Sequence, residues 1–256
     1  MIRPPALFVS HGAPTLVIED VPARDFLAGL GTTLGKPSAV VVLSAHWGTG
    51  QPTVGNGAVP ETIHDFYGFP EVLYRLRYGA AGAPALAERI ATLLGGATLD
   101  PKRGLDHGVW VPLMLMYPEA EIPVVPVSIQ PGRDAAHHRR IGEALRPLRD
   151  ENVLILASGA ATHNLRAYFG RRPGDPVPDW VADFIGWLDA AVAAGDTGAL
   201  LAFETAAPHA AANHPTTEHL LPLFAALGAG TPGVSGRRLH ASIDNGVLAM
   251  NAYGWN

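Results

Sequence analysis

The sequence predicts an α/β fold: a single-domain layered sandwich with a central, mostly parallel or mixed sheet flanked by helices. Three observations carry that expectation. Short continuous apolar runs, "PALFVS" (5–10), "AVVVLSA" (39–45), "IPVVPVSI" (122–129) and "VLILAS" (153–158), read as strands buried on both faces. Segments with apolar residues at helical spacing separate them, which is the alternation of a layered α/β sheet. The chain has 256 residues, 48% of them hydrophobic, and shows neither an internal repeat nor a low-complexity linker, so one core suffices.

In chain order, the strand 5–10 comes first, and "DVPARDFLAGLGTTLG" (20–35) then reads as helix. The run 39–45 is the strongest strand signal. "QPTVGNGAVPETIHDFYGFP" (51–70) is rich in Gly and Pro and reads as a long loop, a length that in compact domains usually carries function. Helices follow at 83–96, with a glycine stop, and at 106–118, with Pro112 near the first turn. Pro126 within the strand 122–129 predicts an edge or irregular position, because proline cannot donate to the ladder. An amphipathic helix at 133–151, the strand 153–158 and helices at 179–195 and 218–229 complete the reading.

Composition excludes several classes of chemistry. Charged residues make up 16% and the formal net charge is −5, with no basic run, so nucleic acid is not an expected partner. No apolar stretch reaches the roughly 18 residues that span a bilayer. The N-terminus enters a strand without a signal-peptide layout, which leads to the expectation of a soluble, cytoplasmic protein. There are no cysteines, which removes disulfides, thiolate metal sites and cysteine nucleophiles. Any metal must be held by imidazole, carboxylate or water, and there are 11 histidines to consider.

Three of them stand beyond strands. His11 follows "ALFVS", His46 follows "VVVLSA" and His163 lies beyond "VLILAS". In open α/β sheets ligands bind outside the carboxyl ends of strands, so these three can converge on one crevice. His219, in "NHPTTEHLLPL", sits where the chain enters a helix, with Thr216 and Thr217 available as caps. The positive end of the helix dipole favours a neutral imidazole there, the form a metal needs. His214 and Glu218 are the rivals in this segment. His64 and His107 each adjoin an aspartate, Asp65 and Asp106, a common way of orienting a ligand from behind. His137, His138, His209 and His240 read as surface or loop residues.

The segments "LFVSHGAP", "VVVLSAHW", "TIHDFYGFP", "LDHGVWVPL", "YPEAEIPVVPVSI", "ASGAATHNLR" and "HPTTEHLLPL" occur in this order. Together they resemble the class III extradiol ring-cleavage dioxygenases, in the 4,5-DOPA dioxygenase branch of the LigB-like superfamily. The resemblance runs from about residue 5 to the C-terminus. It implies a non-haem metal held by His11, His46 and His219, an acid/base role for His163 and a substrate contact at His107. It also implies a catechol-type, DOPA-like substrate and O2 as partners, with Fe(II) as the working metal. Three imidazoles suit Zn(II) as well, so zinc can fill the same site without being the working metal.

Such a site orients a catechol and dioxygen together. A histidine that titrates near neutral pH can take the catechol proton and later return it, the role expected of His163. His64, Trp47 and Tyr67 are expected to wall the substrate pocket, the alternative being that Phe66, Tyr67 and Phe69 only pin the loop 51–70. Arg75, Arg77, Arg166 and Arg171 are open candidates for meeting a substrate carboxylate. Two rival functions stand beside this one: a zinc-dependent hydrolase, and a non-catalytic binding protein on the same fold. "ASGAA" is not a G-x-S-x-G elbow, so a serine hydrolase is set aside. Nothing in the sequence fixes an oligomeric state.

Overall fold

The computed structural model describes residues 3–256. Its strands are β1 (Ala6–Ser10), β2 (Ala39–Gly48), β3 (Thr53–Gly55), β4 (Thr98–Asp100), β5 (Val124–Ile129), β6 (Val153–Gly159), β7 (Arg237–His240), β8 (Ile243–Asp244), β9 (Leu248–Ala249) and β10 (Ala252–Trp255). Eight of them make one mixed sheet in the order β4-β3-β5-β2-β6-β1-β10-β7, while β8 and β9 pair separately. The trio β2-β6-β1 at its centre is parallel throughout. All three carboxyl ends therefore open on the same edge of the sheet.

The apolar runs are continuous because both faces are covered. Leu7, Val9, Val40, Val42, Leu154 and Leu156 face one layer, with the helices Pro22–Leu34 and His107–Met116. Phe8, Val41, Leu43, Ile155 and Ala157 face the other, with the helices Ala135–Leu145, Asp179–Ala194 and Leu221–Ala229. The helix His107–Met116 is buried on nearly every side, which accounts for its almost wholly apolar sequence. Among the described residues no helix is long and apolar enough to cross a membrane.

The structure departs from the sequence reading at several elements. β2 runs on to Gly48 and so takes in His46 and Trp47. β5 is interior, not an edge. It pairs with β2 over Val40–Val124 to Leu43–Val127 but meets β3 at the single register Val54–Val127, so Pro126 sits where the ladder is thin. Pro112 falls in the second turn of its helix. The helix expected at 133–151 gives way at Arg146 to a 3-10 turn, because Pro147 cannot continue the α ladder. His138 is fully buried rather than superficial: its Nδ1–H donates to the Asp134 carbonyl and its Nε2 accepts the Gln130 N–H. The short strands after residue 236 carried no clear period-two signal and were not expected.

Candidate metal centre and active-site cavity

β1 ends at Ser10, so His11 is the first residue off the sheet, tied by its N–H to the Gly159 carbonyl at 3.0 Å. His46 lies near the end of β2, two strands away. His219 is not in its helix but in the turn before it, and its carbonyl accepts the Ala160 N–H at 2.9 Å. Gly159 permits this approach, since a Cβ there would stand 2.1 Å from the His219 carbonyl oxygen. The backbone alone thus draws the three residues to one point.

Their side chains complete the convergence. Nε2 of His46 stands 3.0 Å from Nε2 of His11 and 3.3 Å from Nε2 of His219. Each Nδ1 has its own partner behind it. His219 Nδ1 is 3.0 Å from Glu218 Oε1, and His46 Nδ1 is 3.5 Å from Asp65 Oδ2. His11 Nδ1 is 3.0 Å from Ser158 Oγ. The Ser158 hydroxyl spends its proton on the Gly108 carbonyl, so its oxygen can only accept from His11. That carbonyl is free because Pro112, four residues on, has no N–H to give it. The mid-helix proline thereby contributes to setting a tautomer.

With protons held on the Nδ1 atoms, three Nε2 lone pairs face one another at hydrogen-bond distance with no hydrogen between them. A cation resolves that repulsion, and neutral imidazoles are the donors it needs. Burial first, then the neighbouring histidines, pushes His11 and His219 well below the usual imidazole range; burial and His107 push His46 to about 3. Two further groups, His46–Asp65–His107 and His163–Glu218–His219, also bring ligand atoms within 4.8 Å of one another. In both of these the carboxylate is already engaged by an imidazole Nδ1, so the three-histidine set fits a metal best.

Neither aspartate is bonded to the histidine beside it in the chain that it was expected to orient. Asp65 accepts the His107 N–H at 2.9 Å and lies 3.0 Å from His107 Nδ1, while His64 turns away to the Leu76 carbonyl. Burial would raise Asp65, but the His107 side chain and N–H outweigh it and hold the carboxyl at about 2. Asp106 takes the Ser44 hydroxyl at 2.6 Å and an ion pair with Arg103.

His163 stacks on His219, with ring centroids 3.4 Å apart and planes within 10°. Burial pushes it down to about 4, so its imidazole is neutral at neutral pH. His214 does not join the cluster. Its Nε2–H donates to the Ala161 carbonyl at 2.9 Å, and the Asn213 carbonyl accepts the His163 N–H at 2.9 Å. These two bonds hold the loop that presents His163.

A cavity of about 320 Å³ opens against this cluster. His11, His46, His107, His163 and His219 form its inner wall, and Phe66, Phe69, Leu165, Leu248 and Met250 much of the rest. His64, Trp47 and Tyr67 are not in that lining. Neighbours on an extended chain point to opposite sides. His46 therefore turns inward while Trp47 faces away, under the Arg103 guanidinium at 4.8 Å. Phe66 likewise lines the cavity while Tyr67 is 92% exposed. Sequence reasoning missed Ser158, the one serine of its strand, and Leu248–Met250, which carry no chemical signal. Glu218 was visible only as a rival ligand.

A family model for the catalytic LigB subunit of aromatic ring-opening dioxygenase matches residues 5–243. The chain belongs to the LigB family. It is 44% identical over 255 residues to a 4,5-DOPA dioxygenase extradiol of Beta vulgaris, covering 96% of this chain and 94% of that one. A protein of the same name from Escherichia coli K12 is 41% identical over 232 residues, covering 89% and 85%. A crystal structure of an uncharacterized Escherichia coli K12 protein superposes with a TM-score of 0.84 at 34% identity, covering 99% of this chain and all of that one. This LigB-family chain is an extradiol, aromatic ring-opening dioxygenase with a histidine-rich candidate metal site.

Proposed function

We propose that the protein cleaves the ring of a catechol-type, DOPA-like substrate with O2 in an Fe(II)-dependent reaction. His11, His46 and His219 hold the metal and His163 is the acid/base residue. The observation that carries this reading is the meeting of three Nε2 atoms, each with its Nδ1 proton partnered from behind. Fe(II), when bound, supplies the electron exchange between ring and dioxygen that zinc, lacking redox chemistry, does not.

The chain's own residues do the rest. The cavity holds the ring between apolar side chains and keeps water from the reacting atoms. His163, neutral and fixed in a stack on His219, takes the second catechol proton and returns it as the ring opens. His107, held by Asp65 at side chain and backbone, lines the cavity with its ring centroid 3.9 Å from that of His46, where it meets the substrate.

The test is oxygen uptake by Fe(II)-reconstituted protein given a panel of catechols, with apo and zinc-loaded protein as controls. Uptake with a ring-opened product from the iron form alone supports the reading. Turnover by the zinc form without oxygen would replace it with hydrolysis.

A further inference from the structure

A second cavity, of about 220 Å³, adjoins the one beside the histidines. Among the described residues only Gly12 and Met250 line both. The hairpin of β8 and β9, which stands apart from the main sheet, runs between them. Ile243 and Asp244 of β8 line the second cavity, while Leu248 and Ala249 of β9 line the first. The segment after β1 divides in the same way, with Ala13 and Pro14 on the first cavity and Leu16 on the second. The partition therefore narrows to the side chain of Met250, which is buried, unbranched and flexible. Gly12, directly after His11, leaves room for it: a Cβ there would stand 2.8 Å from Met250 Cε. The other end of the second cavity lies at Glu19, Pro173 and Gly174, exposed residues that do not line the first cavity. The second cavity thus has a mouth of its own.

We propose that the second cavity is the entry route of dioxygen, separate from the mouth that the catechol uses, with Met250 as the movable partition. This rests on the ring-cleavage reading above and names the path of its second substrate. The first cavity, about 320 Å³, is at the small end of ligand cavities, so a catechol with a DOPA-like side chain takes up most of it. Dioxygen then needs another way to the histidines. It is small, neutral and apolar, and Leu16, Val21, Pro22, Ala23, Ile243 and Met250 offer it an apolar wall. The polar lining is Glu19, Ser242, Asp244 and Asn245. Asp244 accepts the Tyr168 hydroxyl at 3.2 Å, and Ser242 Oγ lies 2.8 Å from His240 Nε2. The carboxylates of Glu19 and Asp244 do not act on a neutral gas, but they repel a catecholate or a substrate carboxylate. They sort the two reactants by charge and leave the organic anion to the first mouth.

The test fills one cavity at a time. Val21, half-buried, lines only the second cavity, and Leu165 lines only the first. In the Fe(II)-loaded protein with DOPA as substrate, Val21→Trp is expected to lower kcat/KM for dioxygen at least fivefold. DOPA binding to the zinc-loaded form, read by calorimetry, should stay within twofold of wild type. Leu165→Trp should do the reverse, weakening DOPA binding and leaving kcat/KM for dioxygen unchanged. Ile243→Phe fills the second cavity from the hairpin and serves should Val21→Trp not fold. A gas probe reads the cavity without turnover: crystals of the zinc-loaded protein pressurised with xenon should hold xenon between Leu16, Val21 and Met250. The proposal is overturned if both second-cavity variants keep kcat/KM for dioxygen within twofold of wild type, or if xenon enters only the first cavity. If xenon binds behind Met250 while the iron form consumes no oxygen with DOPA or any other catechol, the ring-cleavage reading falls and the gas-binding cavity stands.

Discussion

Replacing Asp65 with asparagine should loosen the metal without unfolding the protein. The amide keeps the size and shape of the carboxylate and removes its charge. In the native protein Oδ1 accepts the His107 N–H at 2.9 Å, and Oδ2 lies 3.0 Å from His107 Nδ1 and 3.5 Å from His46 Nδ1. These contacts hold the carboxyl at about 2 against an ordinary 3.8, in spite of burial. That gap is worth about 2.5 kcal/mol of preference for the charged form. Most of that preference comes from His107 and only the smallest share from the ligand His46, and the side chain is 23% exposed, so solvent screening trims the part that reaches the metal to about 1 kcal/mol or less. In a binding constant this is roughly up to fivefold, below the range of about 10- to 100-fold commonly seen when a ligand histidine loses a directly bonded partner behind it, in keeping with the 3.5 Å separation from His46 Nδ1. The assay is competition for Zn(II) or Fe(II) against a chromophoric chelator at neutral pH, with the Tm of the apoprotein as the control for folding. Glu218→Gln, which acts on His219 from an independent position, should weaken binding similarly. A metal Kd for Asp65→Asn within twofold of the native value would refute the reasoning.

The remaining predictions concern turnover, selectivity and stability. His163→Ala should keep its metal and lose about 10²- to 10⁴-fold in kcat, measured as oxygen uptake; wild-type turnover would remove it from the acid/base role. Phe66→Ala should weaken catechol binding severalfold while Tyr67→Ala, at a side chain 92% exposed, leaves both affinity and Tm unchanged. Gly159→Ala drives a methyl into the His219 carbonyl and should cost about 1–3 kcal/mol in denaturant unfolding, with weaker metal binding as a second readout. His138, pushed by burial from 6.5 to about 4, remains neutral in the folded chain while the unfolded chain protonates first. Its contribution is therefore full above about pH 6.5 and lost as pH falls toward 4, up to about 3 kcal/mol, and His138→Gln should flatten the stability profile across that window.

How much of this was written in the sequence follows from the range of the forces involved. The strands at 5–10, 39–45, 122–129 and 153–158 were legible because a strand buried on both faces must be apolar throughout, a local property. His11, His46 and His163 were legible as a group because polar residues just beyond such strands have few structural reasons to be there, whereas His219 was legible only as a residue at a helix entry, with His214 and Glu218 as rivals. Which way each side chain turns was not legible. Trp47 and Tyr67 adjoin inward-facing residues, and a shift of one residue along an extended chain reverses the face. The partners of Asp65 were not legible either, since its contacts to His107 and His46 join segments 42 and 19 residues distant, and only the packed fold brings them together.

The sequence by itself determined the α/β class, the absence of thiol chemistry and a set of candidate histidines for a metal. Tertiary structure decided the rest: that the parallel trio β2-β6-β1 points its ends to one edge, that Pro112 leaves the Gly108 carbonyl for Ser158 and so fixes the proton on His11, and that Phe66 lines the cavity while Tyr67 does not. Backbone propensity and burial act on neighbours in the chain, whereas tautomer, ion pairing and cavity lining depend on distances between residues that the chain keeps far apart until it folds.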